Sequence, residues 1–336
     1  MCYNTLTNLY DSIDTPIVDN MEGPIYAVLG VPSFTSYFVG KDRFSRACVI
    51  VKSNAQSGIQ PSPIRLDSID VQFELPCTLK IDDEIKQENR LTIVLCKSKE
   101  REIVRYFLSI CSTVVSILGN EPGNSEVAKA FHRLAFIFQK IQKPSVRTLT
   151  GLLGELYLIS ESTNPIEALK SWRVDDSARY DFVCCDVRID VKSSSGRMRS
   201  HIFTYEQCNP PDGTTAVVAS MFIECTPSGS SLRRLIDKIT SNITSNNDLV
   251  FKLHEVITTT LGSSLSDAMT ITFDERLARS SLRFFDLRLI PAIRDVLPLG
   301  VHELRFRSDL TGIACLSESD LNKIDPSILY FLPSQS

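Results

Sequence analysis

The stretch from Arg179 to Ser193 constrains the fold more than any other part of this chain. It reads as two β-prone runs, RYDFVC and VRIDVKS, joined by a short turn around Asp186. Side chains alternate between faces along a strand, so Asp190 and Lys192 share one face while Val191 points to the other. A turn this short joins antiparallel neighbours. A suitable register then brings Asp181 of the first run beside Asp190. Any fold built on this hairpin has to bury one apolar face and gather two acids and an amine on the other.

The neighbouring segments fit such a hairpin. From Ser145 to Ser160 (SVRTLTGLLGELYLIS), Leu149, Leu152, Leu153, Leu156 and Ile159 are spaced for one side of a helix, with a threonine placed to cap it. Glu155 interrupts this apolar run. An unpaired buried carboxylate is costly, so Glu155 either reaches the hairpin acids or lies on a partly exposed flank. Further strands are expected at His201 to Thr204 and Thr215 to Glu224, with helices near Tyr205 and from Ser231 to Thr240. Together these predict a small sheet in the order helix, hairpin, strand, helix, strand. Glu206 and Gln207 open the short helix near Tyr205.

The rest of the chain divides by its periodicity. Between Ile25 and Leu95, runs such as IYAVLG, FTSYFVG, ACVIVK, IDVQFEL and LTIVLC alternate with turn-rich gaps, which predicts a meandering antiparallel unit. After Lys97 the spacing turns helical over Glu100 to Leu118 and Ser125 to Gln142, with GNEPGNS as a breaker. The expected organisation is therefore a β-rich N-terminal domain over 1–98, connecting helices over 99–145, a core over 146–245 and a C-terminal α/β extension over 246–336. The fold class is α/β (α+β), with a central mixed sheet flanked by helices.

Composition narrows the function classes. The 336 residues carry a formal net charge of −4, so any nucleic-acid contact must come from local basic patches. One candidate patch is Lys192, Arg197, Arg199 and His201, with Arg197, Arg199 and Ser193 as the candidate DNA contacts. Another is the series Arg276, Arg279, Arg283, Arg288, Arg294, Arg305 and Arg307, which the acids Asp274, Glu275, Asp286 and Asp295 can turn into an ordinary solvated face. The ten cysteines form no CxxC pair, and adjacent Cys184 and Cys185 point to opposite faces of a strand, which argues for free thiols over a zinc site. The longest apolar run, Phe107 to Gly119, is too short to span a bilayer, and no signal peptide is evident, so a soluble, cytoplasmic protein is expected. Nothing matches GxGxxG, a Walker loop or HExxH.

Two acids and a lysine on one hairpin suit phosphodiester hydrolysis, which needs a hard cation, oxygen ligands for it and a group that orients or deprotonates water. Asp181, Asp190 and Glu155 are the candidate metal ligands. Lys192 is the candidate that positions the water, steadies the transition state or serves as base. A D…DxK pattern alone is weak, because solvent-facing strands also alternate acids and lysines. Nothing in these residues separates DNA from RNA or another phosphodiester.

The runs GLLGELYLIS, YDFV, IDVKSSS and RSHIFTYEQ, together with Trp172 and the downstream FFDLRLIP and GVHELRFRSDL, resemble a family of bacterial PD-(D/E)xK motif proteins of restriction and phage-defence systems. The resemblance implies a restriction-endonuclease-like core that hydrolyses DNA with Mg²⁺, for which Mn²⁺ can substitute. Position by position, Glu155 matches the helix acid, Asp181 the first hairpin acid, Asp190 the D/E position and Lys192 the lysine. His201, Glu206 and Gln207 match an auxiliary stretch of undefined role. Tyr180 stands where the motif has proline, and Asp190 where glutamate is commoner, which shortens the reach by one methylene. The resemblance also implies partners: DNA, a methyltransferase, helicase-like or GHKL-type ATPases, and a second copy of the chain for cutting both strands. A catalytically silent fold serving DNA binding or assembly is the alternative. Lys192→Ala is expected to abolish cleavage and leave folding intact.

Overall fold

The structure, a computed structural model, describes residues 5–16, 24–54, 61–81, 84–141, 149–174, 179–243 and 246–333. The chain divides into two units, Met1–Ser145 with Leu261–Ser266, and Val146–Thr260 with Asp267–Ser336. No described helix is long and apolar enough to cross a membrane.

The first unit holds α1 (Thr5–Asp11), β1 (Ile25–Val31), β2 (Phe34–Asp42), β3 (Ala47–Val51), β4 (Ile64–Arg65), β5 (Ile69–Ile81), β6 (Glu84–Cys96), α2 (Arg101–Leu118) and α3 (Asn124–Lys140). The expected β-prone runs all become strands, but they do not form a simple meander. The order is β1-β2-β3-β6-β5-β4, and β1 also pairs with β5 in parallel, so the sheet closes on itself. The cause lies in β5, whose register with β6 shifts around Leu75, next to Glu74 at φ 51°. Such irregularities bend a strand, which turns Thr78 to Ile81 onto β1. Tyr26, Val28, Cys48, Ile50, Cys77, Leu79 and Leu91 form an apolar cluster inside. Cys48, Cys77, Cys96 and Cys111 are buried free thiols.

The second unit runs through α4 (Leu149–Glu161), α5 (Pro165–Ser171), β7 (Phe182–Cys184), β8 (Val187–Ser194), β9 (Ser200–Thr204), α6 (Tyr205–Cys208), β10 (Thr215–Phe222), β11 (Cys225–Ser231), α7 (Leu232–Asn242) and α8 (Asn247–Leu261). It continues with α9 (Leu265–Thr270), β12 (Thr272–Phe273), α10 (Glu275–Ser281), β13 (Arg283–Asp286), β14 (Arg305–Asp309) and α11 (Glu318–Ile324). The threonine expected to cap α4 lies outside the described residues. The hairpin forms as the alternation predicts, with Cys185 at φ 49° in its turn. Its sheet is mixed, in the order β13-β10-β8-β7, with β8 parallel to β10 and antiparallel to β7.

The expected place of the His201–Thr204 strand needs correction. This strand, β9, does not join the four-stranded sheet; it pairs antiparallel with β14, about a hundred residues downstream, while β13 takes the sheet edge beside β10. β9 buries His201 and Phe203 and exposes Ile202. Its free edge hydrogen-bonds are satisfied by β14, as a strand edge requires.

Helix α4 packs on the other face of β8, against Val191 and Ser193. A Cβ at Gly154 would stand 1.9 Å from Ser193 Oγ, 3.2 Å from Ser193 Cβ and 3.3 Å from Val191 Cγ1, so only glycine permits this approach. Gly154→Ala is expected to destabilise the protein by about 1–3 kcal/mol through overpacking. Adding Ser193→Ala should return part of the loss, which thermal denaturation of the single and double variants measures.

Candidate active site

Phe182 lies opposite Ile189 in the hairpin, so Asp181, one residue before β7, comes level with Asp190. Both acids are buried, Asp190 with 2% of its surface exposed. Asp181 Oδ2 accepts a hydrogen bond from the backbone N–H of Val191 at 2.8 Å. This ties the first acid to the strand that carries the second.

Asp190 is held from two sides. Its Oδ1 accepts from Gln207 Nε2 at 2.8 Å, and its Oδ2 lies 2.8 Å from Lys192 Nζ. Gln207 is itself fixed, since its Oε1 accepts from the Thr204 N–H and its own N–H donates to Thr204 Oγ1, a reciprocal cap at the start of α6. Gln207 Nε2 also donates to the Arg179 carbonyl. Among the described residues Glu206 joins this network through its backbone carbonyl, which accepts from the Tyr180 hydroxyl at 3.3 Å.

Lys192 sits over the Phe203 ring, 5.1 Å from its centroid. Burial pulls the lysine pKa down, but the Asp190 carboxylate beside it and Asp181 outweigh that and hold it above its ordinary value. Across the parallel pair Lys192 faces Ser220, whose Oγ is 2.8 Å from His201 Nε2. Burial, then Lys192, Arg199 and Arg307, push His201 down to about 4, so it is neutral at pH 7.

Glu155 occupies the α4 side of the hairpin, 3% exposed. The Trp172 indole N–H donates to its Oε2 at 2.6 Å, and Arg173 grips both oxygens through Nε and Nη2, each at 2.9 Å. Arg173 also donates its backbone N–H to the Asp181 carbonyl at 2.8 Å and its Nη1 to Thr260 Oγ1. Burial and the negative charge of Asp181 push the Glu155 carboxyl up to about 7, against the pull of Arg173 and Trp172. Sequence reading missed Arg173. Its one signal was position, directly after the chain's single tryptophan.

Of the expected DNA contacts, Ser193 lies on the α4 face of β8, away from Asp190, with its Oγ buried. Arg199 is spent internally, donating to the Ser220 carbonyl and hydroxyl and to the Ser281 carbonyl while stacking on Phe222. Arg197 is exposed and paired with Glu224 at 2.7 Å.

Among the described residues, no group of three or more His, Cys, Asp or Glu side chains is placed to hold a metal ion. Asp181 and Asp190 nevertheless fit Mg²⁺, which keeps most of its waters and binds through one or two carboxylates. Their orientation by Val191, Gln207 and Lys192 is the kind of outer support that metal-ligating carboxylates need.

The chain was compared with known proteins. No curated protein and no solved structure matches it. A family model described as "Putative PD-(D/E)XK family member, (DUF4420)" matches residues 29–311, a span that contains Asp181, Asp190 and Lys192. With that match extending over most of its length, the chain belongs to this PD-(D/E)XK family.

Proposed function

We propose that this chain is a divalent-metal-dependent DNA endonuclease of a bacterial restriction or phage-defence system. The observation that carries the reading is the meeting of Asp181, Asp190 and Lys192 on one buried hairpin, with Asp190 held between Gln207 and Lys192. A cation bound there would neutralise charge on the scissile phosphate and acidify its bound water.

The remaining work falls to side chains. Asp181 and Asp190 supply the oxygen ligands. The Lys192 ammonium, aimed by Asp190 and backed by Phe203, orients a water or donates to a phosphoryl oxygen. Glu155 stands behind them, and its hold on Arg173, whose backbone N–H donates to the Asp181 carbonyl, ties the helix acid to the hairpin. Partner proteins that grip DNA would explain why a nuclease subunit is acidic overall.

The test is nicking of supercoiled DNA by the purified chain in Mg²⁺ or Mn²⁺, with a chelator as control. Nicking that disappears in the chelator supports the reading, and its absence on every DNA form with metal present contradicts it. Gln207→Ala frees Asp190 on one side and is expected to raise the Mg²⁺ concentration for half-maximal nicking by about 10–100-fold.

A second reading, a silent nuclease fold used for binding or assembly, is favoured by one observation. Arg173 and Trp172 already occupy the carboxylate of Glu155. A silent scaffold would bind no metal through Asp181 and Asp190.

A further inference from the structure

The downstream signature GVHELRFRSDL has no part in the site so far described, yet it supplies β14, the strand that pairs with β9. In this two-stranded ribbon Arg305 lies opposite Thr204, Arg307 opposite Ile202 and Asp309 opposite Ser200. His201, Phe203 and Ser308 point inward, and His201 and Phe203 pack beside Lys192. Ile202, Arg305 and Arg307 point outward and are exposed, Ile202 by 51%.

In the C-terminal arginine series, Arg276 on α10 is exposed and has no ion pair among the described residues, and the others sort by what they touch. Arg279 pairs with Glu161, and Arg288 with Asp286. Arg294 donates to the carbonyls of Cys208, Leu287 and Ile290, and Arg283 to those of Ser280 and Leu282. Arg305 and Arg307 differ. Among the described residues neither has a carboxylate within ion-pair distance, and Arg307 makes one long contact to the Ser200 carbonyl at 3.4 Å. The acid on the same outward face, Asp309, is engaged by the Thr311 N–H and hydroxyl. Two guanidinium groups without an ion partner therefore stand side by side on the outer face of β14, with the exposed Ile202 across the ribbon from Arg307.

That surface is rigidly tied to the site. Thr204, opposite Arg305, caps the helix whose Gln207 holds Asp190, and Phe203 lies under Lys192. Residues two apart on a strand stand about 7 Å apart, close to the rise of two base steps along one nucleic-acid strand. A two-stranded ribbon fits the major groove of B-DNA, roughly 12 Å wide.

We propose that the β9–β14 ribbon is the DNA-duplex docking element of this nuclease, with Arg305 and Arg307 as phosphate contacts and Ile202, across from Arg307, facing the groove. The proposal rests on the nuclease reading and names the surface that brings duplex to the hairpin.

The experiment measures binding of the full chain to a labelled short DNA duplex by fluorescence anisotropy. It is run in chelator to prevent cleavage and repeated over a range of salt, with nicking assayed in Mg²⁺ in parallel. Arg305→Gln with Arg307→Gln removes two phosphate contacts at exposed positions. It should weaken duplex binding at least about tenfold and make the log–log salt dependence shallower by about two, while the melting temperature stays that of the wild type. Asp190→Asn should bind duplex like the wild type and not nick. Affinity and salt slope unchanged in the double variant, or a wild type that does not bind duplex, would overturn the ribbon assignment. Equal binding of duplex RNA would overturn its assignment to DNA. If the wild type nicks but the double variant binds normally, the ribbon proposal alone fails; if the wild type binds through the ribbon and never nicks, the nuclease reading fails.

Discussion

Lys192→Ala is expected to lower metal-dependent cleavage by about 10²–10⁴-fold, the range typical of a positioned group that handles protons or charge at the reacting centre. The structure adds a consequence that the sequence did not suggest. Lys192 Nζ lies 2.8 Å from Asp190 Oδ2, whose side chain is almost wholly buried. Removing the ammonium leaves that carboxylate without its ion partner, and breaking such a pair costs on the order of 3 kcal/mol. The expectation that folding stays intact therefore does not hold for the metal-free protein. Thermal denaturation should show a lowered melting point for Lys192→Ala that Mg²⁺ partly restores, because a bound cation takes over neutralisation of Asp190. Activity is to be compared at a temperature where the variant is folded. Full cleavage by a folded Lys192→Ala protein would remove the lysine from the site.

Arg173→Ala should have the largest effect on stability, about 3–5 kcal/mol, because it strands Glu155 in the interior. The Arg173 guanidinium satisfies both Glu155 oxygens and Thr260 Oγ1, so one truncation undoes three hydrogen bonds and leaves only the backbone bond to the Asp181 carbonyl. Adding Glu155→Gln should recover part of the loss, since a neutral amide needs no counter-charge and still meets the Trp172 indole. The same carboxyl gives the metal-free wild type a pH dependence. Its folded pKa of about 7 lies above the ordinary glutamate value of 4.5. The folded state therefore holds the proton more tightly than the unfolded chain does. The contribution from Glu155 is fully present below the unfolded pKa and is lost as pH rises toward and through 7. Glu155→Gln should flatten that decline in melting temperature, and an unchanged slope would contradict this placement of the proton.

The hairpin was legible because period-two alternation is local: VRIDVKS assigns Asp190 and Lys192 to one face with no knowledge of the rest of the chain. The same rule puts Ser193 with Val191 on the opposite face, where it packs against Gly154, and so removes it from the expected DNA contacts. Gln207 was visible as a polar residue at a helix start, but its hold on Asp190 depends on how α6 lies against β8. Arg173 was not legible, since its contacts with Glu155 span 18 residues and depend on how α4 and the short α5 fold back on each other. The partner of β9 was hidden for a similar reason. β14 has only five residues, lies about a hundred positions away, and its alternating arginines read as a solvated strand until paired. Closure of the N-terminal sheet escaped because it depends on the bend at Glu74, which composition does not announce.

The central claim is that Asp181 and Asp190 share a divalent ion while Glu155 stays with Arg173. Titration of the purified chain with Mn²⁺, followed by electron paramagnetic resonance, tests it directly. The account predicts one bound ion per chain in the wild type and in Glu155→Gln, and loss of that ion in Asp181→Asn and in Asp190→Asn. Mn²⁺ binding that survives both aspartate substitutions, or that vanishes in Glu155→Gln while the protein remains folded, would contradict it.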